Sequence, residues 1–521
     1  MNFDLNEHLA RLINDAGGKA EEVAGRPPCL RVSSTDWDLS VRVAVKADLR
    51  FLAVWASQEK TGFSIHAAFS QKEKGYALMT MQLDAGQDEF PSMVPYYVSS
   101  ARMERVIHDM FGLIPVGHPD LRNWIKHEHW PDKTYPLRKD FPVATVMPRQ
   151  EGFYPFIEMD GEGTHEIPVG PVHAGIIEPG HFRFIAVGER ILNLEERLGY
   201  VHKGIEKSME ERDVFSASRL AARISGDATV AHSWAFCLAA EQAAGIGVPP
   251  RATILRAVLC ERERIANHIG DIGAICNDVA WSFMHVQCQI LRENLARLHG
   301  SLFGHRLMMD CVTPGGVTCN LDAEGIKSLL EQTQEVAREM NKLFQIYEDQ
   351  TSIRERVIGS GTVDFENARD MGLLGYVGRS TECDIDARRD AAYAPYDKIP
   401  PAVKTCRGGD VSARLWIRFE EIQESANLID KLLTEIPQGP IQEAWQIPKE
   451  GDGGFSAVES WRGEIATWIR FGANGKIDRS YVRDPSMINW MGLELAVRET
   501  VVPDFPLSNK SFNCSYSGHD L

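Results

Sequence analysis

The sequence predicts an α+β N-terminal domain fused to a mainly α-helical domain with small peripheral β-sheets. Three observations predict this. Short strand-like runs crowd residues 1–142, residues 143–165 hold glycines and prolines without periodicity, and long apolar-striped stretches fill residues 166–521. Composition agrees with a folded protein: 44% of the 521 residues are hydrophobic and 25% are charged. The length is enough for two or more domains of roughly 100–200 residues each.

The first domain opens on Leu5, Leu9, Leu12 and Ile13 at helical spacing. Asp38–Val43 alternates polar and apolar residues at period two, which predicts a strand. Phe51–Trp55 is a continuous apolar run of the buried-strand type, and Tyr76–Thr80 is another strand candidate. A helix is predicted over Ser99–Phe111, ending at Gly112. The linker holds Pro148, Gly152, Pro155, Gly161 and Gly163. Beyond it, Phe182–Val187 reads as a strand. Thr229–Gln242 places Ala231, Trp234, Ala235, Leu238 and Ala239 on one stripe, and Arg251–Met284 reads as a helix apolar on several faces, as inside a bundle. Asp322–Gln350 is amphipathic behind the start signal Leu321–Glu324. Glu464–Phe471 and Lys476–Val482 predict two strands about the turn Gly472–Gly475. No internal repeat or low-complexity tract interrupts this order.

Charge and cysteine usage exclude several function classes. The net charge is −17, from 56 basic and 73 acidic residues, and an acidic chain repels phosphate backbones, so no nucleic acid partner is expected. The N-terminus carries Asp4 and Glu7 without an apolar core, so no secretory leader is expected. No window of about 18 uncharged apolar residues occurs, so any membrane role must come through partner subunits. The ten cysteines form no C-x-x-C pair and stand singly in apolar contexts, which predicts free thiols in a reducing cytoplasm. A zinc or iron–sulfur site built within the chain is disfavoured, because such sites cluster their ligands.

Specific motifs point further. Met103–Gly112, Gly117–Arg122 and Pro136–Pro142 resemble the signature of the 30 kDa subunit of respiratory complex I and the matching domain of membrane-bound hydrogenase large subunits. The family pattern often reads E-R-E-x-x-D-M-F-G, so Met103 and the Glu104–Arg105 pair depart from it mildly. These charges are expected chiefly to brace the fold. The second domain resembles the 49 kDa subunit of complex I and the large subunit of nickel–iron hydrogenases. The resemblance rests on Gly170–His173, Glu178–Arg183, Tyr200–Lys207, Arg264–His268, Pro314–Val317, and the later set Arg379, Asp386, Arg388, Asp390 and Tyr396.

That resemblance implies a metal site and shows how this chain departs from it. The family holds its bimetal centre with four thiolates, from R-x-C-G-x-C and a late D-P-C-x-x-C-T-D-R. Here the first motif begins at Arg223, keeps Gly226 and is followed by His232, but its cysteine positions are Ser225 and Ala228. Aligned through Asp504, Pro506, Ser511 and Asp520, the second motif has Ser515 and Gly518 at its cysteine positions, with Cys514 one residue away. Hydroxyl, methyl and hydrogen cannot replace soft thiolates on nickel. The former ligand region (Arg223, Ser225, Ala228, His232, Ser515, Gly518) is therefore expected to be empty, with no metal and no cofactor bound by this chain.

Complex I lacks the same cysteines and receives a quinone headgroup there, so quinone is a candidate ligand. By that resemblance His173 matches a hairpin histidine and Asp278, counted from His268, matches an aspartate on the long helix. A second hairpin histidine and the tyrosine expected near Gly226 have no counterpart. A His173–Asp278 pair would supply protons to a reduced quinone, or would survive as a satisfied polar pair. Glu206 and Asp227 are further candidates for handling protons, and Glu206 would pair with Lys203 or Arg223 if it serves only as a buried bridge. His232 and His268 are expected to be structural hydrogen-bonders.

The functional expectation is the large subunit of a membrane-associated oxidoreductase complex. It would sit at the cytoplasmic face of the cell membrane through membrane-arm subunits. A partner iron–sulfur small subunit with a 4Fe-4S cluster would pass it electrons, destined for quinone or a proton-coupled site. NAD binding, formate oxidation and ferredoxin oxidation would belong to other subunits. A non-catalytic scaffold and a hydrogenase with atypical ligands stand as alternatives.

Overall fold

The structure is a computed structural model that describes residues 4–23, 25–174 and 177–521. Met1–Phe3, part of the stretch read against a leader, lie outside them. The N-terminal part has helices α1 (Leu5–Asp15), α2 (Trp37–Lys46) and α3 (Ala101–Phe111). They pack on a mixed sheet of β1 (Ala20–Val23), β2 (Cys29–Val32), β3 (Arg50–Gln58), β4 (Phe63–Gln71) and β5 (Gly75–Gln82), in the order β1-β2-β5-β4-β3. The β2–β5 pair is parallel and the others are antiparallel. Short strands β6 (Glu89–Pro91) and β7 (Ile114–Val116) pair beside them. Residues 117–163 contain no helix or strand.

The period-two reading of Asp38–Val43 is corrected: the segment is inside α2. Over the full ten residues Trp37, Val41 and Ala44 recur at helical spacing and are buried, and this wider period outweighs the local alternation. Within α3 the charges brace the fold. Buried Glu104 accepts from Ser92 Oγ at 2.6 Å and Met93 N at 2.7 Å, and Asp109 Oδ2 accepts from Trp124 N and Ile125 N at 2.7 Å and Lys126 N at 3.0 Å. Both carboxylates thereby pin loop backbone that would otherwise be buried without partners.

The second part begins with the antiparallel sheet β8 (Thr164–Val169), β9 (His181–Val187) and β10 (Arg190–Arg197). Short helices α4 (Ile205–Met209) and α5 (Val214–Ala221) lead to the long helices α6 (Thr229–Ala244), α7 (Pro250–Asp278) and α8 (Ser282–Phe303). The run Arg251–Met284 is thus two helices, parted at residues 279–281, where Ala280 takes the left-handed conformation (φ 63). The hairpin β11 (Val312–Thr313) and β12 (Gly316–Val317) precedes α9 (Ala323–Glu348), whose N-cap is Asp322. Helices α10 (Thr351–Val357), α11 (Phe365–Asp370), α12 (Gly375–Arg379) and α13 (Ala387–Asp390) are short, and α14 (Val411–Thr434) completes the bundle against α7 and α9. A last antiparallel sheet has β13 (Gly453–Ser460), β14 (Gly463–Phe471) and β15 (Ile477–Arg483), followed by α15 (Ser486–Ala496), α16 (Phe505–Phe512) and α17 (Tyr516–Asp520).

Strand β13 is absent from the sequence reading because all eight of its residues are buried and it shows no alternation. Helix α6 lies on this strand. A Cβ at Gly454 would run into the carbonyl oxygen of Ala239 on α6. Gly454→Ala is therefore expected to cost at least about 3 kcal/mol, the upper end for overpacking, as measured by chemical denaturation.

The two parts share one apolar core. Trp55 of β3 stacks on Tyr481 of β15 with ring centroids 5.0 Å apart, and on Phe455 of β13 at 6.1 Å. The N-terminal sheet therefore backs directly onto the last sheet, which carries the segments that build the site.

Candidate functional site

The four positions that resemble cysteine ligands converge. The loop after α5 brings Ser225 to the start of α6, and the turn after α16 brings Ser515 beside it. The two hydroxyls lie 2.9 Å apart and hydrogen-bond. Ser515 is also the N-cap of α17, its Oγ accepting from Gly518 N at 2.9 Å. Ala228 and Gly518 are buried at the same place.

A polar network fills the space between them. Ser225 Oγ donates to Asp227 Oδ1 at 2.6 Å, and the Arg462 guanidinium grips both Asp227 oxygens at 2.8 and 2.6 Å. Trp461 Nε1 and Asn267 Nδ2 donate to the Asp227 carbonyl at 2.8 and 2.7 Å. Burial opposes ionisation of Asp227, but Arg462 and the Ser225 hydroxyl outweigh it and hold its pKa below the usual carboxylate range. On the other side His232 Nε2 donates to Asp484 Oδ2 at 3.0 Å, while Ser486 N donates to Asp484 Oδ1 at 2.8 Å. Burial again opposes the charge of Asp484, yet the His232 hydrogen bond and the nearby Arg462 bring its pKa down to about 2.

Protein groups pack closely across this region. A Cβ at Gly518 would meet Asp484 Oδ2 at 2.6 Å and Ser515 Oγ at 2.9 Å. The donor set is hydroxyls, carboxylates and one imidazole, most of them bonded to one another, with no thiolate. It does not fit a nickel–iron centre. Cys514 does not restore one: its thiol is buried, which pushes its pKa well above the usual value, and thiolate character is what a metal needs. Among the described residues no cluster of three or more His, Cys, Asp or Glu is arranged to hold a metal ion.

Several predicted site residues lie elsewhere. Arg223 points outward and forms a bidentate pair with Asp310 at 2.6 and 2.7 Å. His173 Nε2 donates to the Gly180 carbonyl at 2.7 Å. Asp278 is exposed at the end of α7, where its charged neighbours are Lys510 and His285. No hydrogen bond or ion pair joins His173 to Asp278 among the described residues, so the expected proton-donating pair is not assembled. Counting along a helix singled out Asp278, but the helix ends there and turns the side chain to solvent.

Glu206 is buried as expected, with a different partner. Its Oε2 accepts from Arg479 NH1 at 2.8 Å and its Oε1 from Val482 N at 3.0 Å, both on β15. Lys203 instead donates to the Ile224 and Ser517 carbonyls. Burial raises the Glu206 pKa and Arg479 offsets only part of the rise. His268, as expected, is a structural hydrogen-bonder: its Nε2 pairs with Glu421 Oε2 at 2.7 Å.

Glu206 lies on a cavity of about 240 Å³ between the two parts of the chain. Its walls come from Val106, Met110, Trp130 and Phe141 of the first part and from Lys203 and Met487 of the second. The walls are mainly apolar with a few polar groups among them, the usual character of a small-molecule site. Sequence reasoning missed this cavity, together with Arg462 and Asp484. The segment Arg483-Asp484-Pro485-Ser486 carries a helix-start signal, which alone gives no hint that Asp484 closes the site.

Comparison with known proteins places the chain. Residues 30–146 match the family of the 30 kDa subunit of respiratory-chain NADH dehydrogenase, residues 278–451 that of its 49 kDa subunit, and residues 203–270 that of nickel-dependent hydrogenases. The chain is 33% identical to formate hydrogenlyase subunit 5 of Escherichia coli (strain K12) over 86% of its own length and 80% of the relative's. It is 32% identical to hydrogenase-4 component G of the same organism, over 88% of its length and 81% of the relative's. A solved structure of the membrane-bound sulfane sulfur reductase, an archaeal respiratory membrane complex, contains a chain with the same fold. The TM-score is 0.65 at 21% identity, covering 69% of this chain and 99% of that one.

Proposed function

The chain belongs to the large-subunit family of membrane-bound hydrogenases and respiratory complex I, and from that membership we propose that it works in electron transfer without a nickel–iron centre. As an oxidoreductase subunit it would receive electrons from an iron–sulfur small subunit and hand them to quinone or to a proton-coupled site. The observation that carries the reading is the 2.9 Å hydroxyl bridge between Ser225 and Ser515, with Asp484 pressed against Gly518. Hydrogen activation in this family needs four soft ligands at these positions, and none of the four side chains offers sulfur.

The acceptor site that fits best is the cavity at Glu206 rather than His173 and Asp278. Its apolar walls suit the ring of a quinone, whose reduction takes two electrons and two protons. Glu206, with its raised pKa, would hold a proton at the cavity wall. The relatives named above are subunits of hydrogenases, and the structurally similar chain comes from a membrane complex. Exposed Val146, Phe153 and Val172 offer apolar surface to such partners. Among the described residues no helix is long and apolar enough to cross a membrane, so membrane association would run through other subunits.

The test is made on the purified complex. We expect no stoichiometric nickel and no hydrogen uptake, and binding of a quinone analogue that Glu206→Gln weakens about tenfold, the loss of the acid's hydrogen bond to a quinone oxygen. Stoichiometric nickel would overturn the metal-free reading. Failure of any quinone analogue to bind the assembled complex would leave the chain a scaffold.

A further inference from the structure

A second cavity, of about 120 Å³, lies between α7 and α8 and shares no lining residue with the one at Glu206. That is well above the roughly 10–15 Å³ that one water needs, so an ion of several heavy atoms has room. The charges on its walls do not balance. Two anions line it, and each already has its own cation: Arg462 grips Asp227 at 2.8 and 2.6 Å, and Glu293 accepts from Arg297 Nε at 2.8 Å. Two guanidiniums line it as well, Arg292 on α8, half-buried, and Arg306 after α8, exposed. Neither side chain forms a hydrogen bond or an ion pair among the described residues.

A third cation stands behind the wall. Arg262 of α7 is fully buried and donates to His299 Nε2 at 2.9 Å, to Thr333 Oγ1 at 3.0 Å and to Gln332 Oε1, none of them an anion. His299 lines the cavity; with Nε2 accepting, its Nδ1–H donates to the Arg306 carbonyl at 3.3 Å and the ring stays neutral. Burial alone lowers the Arg262 pKa to about 9, with no carboxylate to oppose it. A buried guanidinium without a counter-ion is costly, and an anion in the adjoining cavity offsets that cost. The inner wall adds a donor. Glu263 is buried on α7 and accepts from Val230 N at 2.8 Å and Ala231 N at 3.2 Å, in the first turn of α6. Burial dominates and raises its pKa to about 8, with the two N–H groups opposing, Asp227 adding to the rise and Arg264 opposing. Near neutral pH Glu263 is a carboxylic acid, and since both its partners are donors its O–H is left for an acceptor in the cavity.

We infer that this cavity binds a small oxyanion of the phosphate type, held by Arg292 and Arg306 and hydrogen-bonded by Glu263 from the inner wall. The planar fork of a guanidinium matches phosphate oxygens in pairs. Donors come from α7, from α8 and from the segment after α8, and the four oxygens of a tetrahedral ion can meet them together, where a carboxylate offers only two. Free phosphate and the phosphate of a lipid headgroup share this chemistry. The charged or titratable groups facing Glu263 are Asp227 before α6, Arg264 on α7, Arg292, Glu293 and His299 on α8, and Arg306 after α8. Loss of the Glu263 proton replaces a donor by a third anion on the wall, so binding weakens as pH rises.

Titration calorimetry of the full chain with inorganic phosphate tests this, at fixed ionic strength because salt screens exposed charges. One saturable site per chain is expected. Arg292→Gln and Arg306→Gln should each weaken binding about tenfold, the loss of a hydrogen bond to a charged group. Neither side chain has a protein partner, so both variants should melt with the wild type, which separates lost binding from lost folding. Lys46→Gln, which removes an exposed cation at the end of α2, should leave the affinity unchanged. With sulfate, which does not titrate near neutral pH, the affinity should fall as pH rises through about 8, and Glu263→Gln should abolish that fall. Vesicles of phosphatidylglycerol that compete with phosphate would identify the occupant as a lipid headgroup, and phosphate binding that they leave unchanged would identify a free ion. No saturable binding at millimolar phosphate, wild-type affinity in both arginine variants, or a sulfate affinity independent of pH would overturn the assignment.

Discussion

Glu261→Gln is expected to cost about 3–5 kcal/mol of folding stability, the usual loss when one partner of a buried ion pair is neutralised. Glu261 is fully buried on α7 and accepts from Arg388 NH1 at 2.8 Å, Arg264 Nε at 3.2 Å, and the Ser425 and Tyr396 hydroxyls at 2.6 Å each. Neutralising it leaves two buried guanidinium groups under-compensated, Arg388 keeping Asp386 and Arg264 the more distant Glu421, in a medium that cannot hydrate them. The effect is visible in the pH dependence. Burial opposes the charge, but Arg388 and Arg264 outweigh it and lower the pKa from 4.5 to about 2. A depressed carboxylate stabilises fully above its unfolded pKa, and that contribution is lost as pH falls through the folded one. Wild-type protein should therefore lose this stability between about pH 4.5 and pH 2, while the variant shows no such loss from this site. Chemical denaturation at several pH values measures both. In the Glu261→Gln background, Arg388→Met should cost less than it does alone, because the stranded charge is removed with it.

Gly518→Cys, the change that would begin to rebuild a thiolate site, is expected to destabilise the protein by about 1–3 kcal/mol and to bind no nickel. The new Cβ would stand 2.6 Å from Asp484 Oδ2, closer than a carbon and an oxygen can approach. Asp484 cannot simply retreat, since His232 and the Ser486 N–H hold its two oxygens. Asp484→Ala should relieve the clash, so the double variant should be less destabilised than the two single losses summed. Thermal melting of the four proteins gives this coupling. If Gly518→Cys is as stable as wild type, the space beside Ser515 is not closed by Asp484.

Legibility differed between elements for physical reasons. Helices α9 and α14 bury recurring apolar residues against each other and α6 buries its own against β13 and β14; α6 and α9 were read directly from spacing. The strand around Phe51–Trp55 was equally plain, because continuous apolar runs of that length rarely face water. Helix α2 was misread as a strand because Leu39, Val41 and Val43 alternate with polar residues over a window too short to show the helical stripe. Strand β13 was missed because a strand buried on both faces has no alternation at all. For the site, the identities at 225, 228, 515 and 518 could be read one residue at a time, since each lies within a short motif. Glu206 was singled out correctly as a buried acid, but its partner Arg479 lies 273 residues away, and no local pattern announces such a pair.

What the sequence determined by itself is therefore what depends on short spans: most of the element types, the family, and the residue identities at 225, 228, 515 and 518. Only the tertiary structure decided what those residues touch. A hydrogen bond from Ser225 to Ser515 spans 290 residues, and one from His232 to Asp484 spans 252. Such contacts form because burial requires every polar group to find a partner, and which partner is available depends on how α6, β15 and α17 are packed together. The same packing left Asp278 in solvent and gave Glu263 a cradle of donors, outcomes set by geometry that no spacing along the chain encodes.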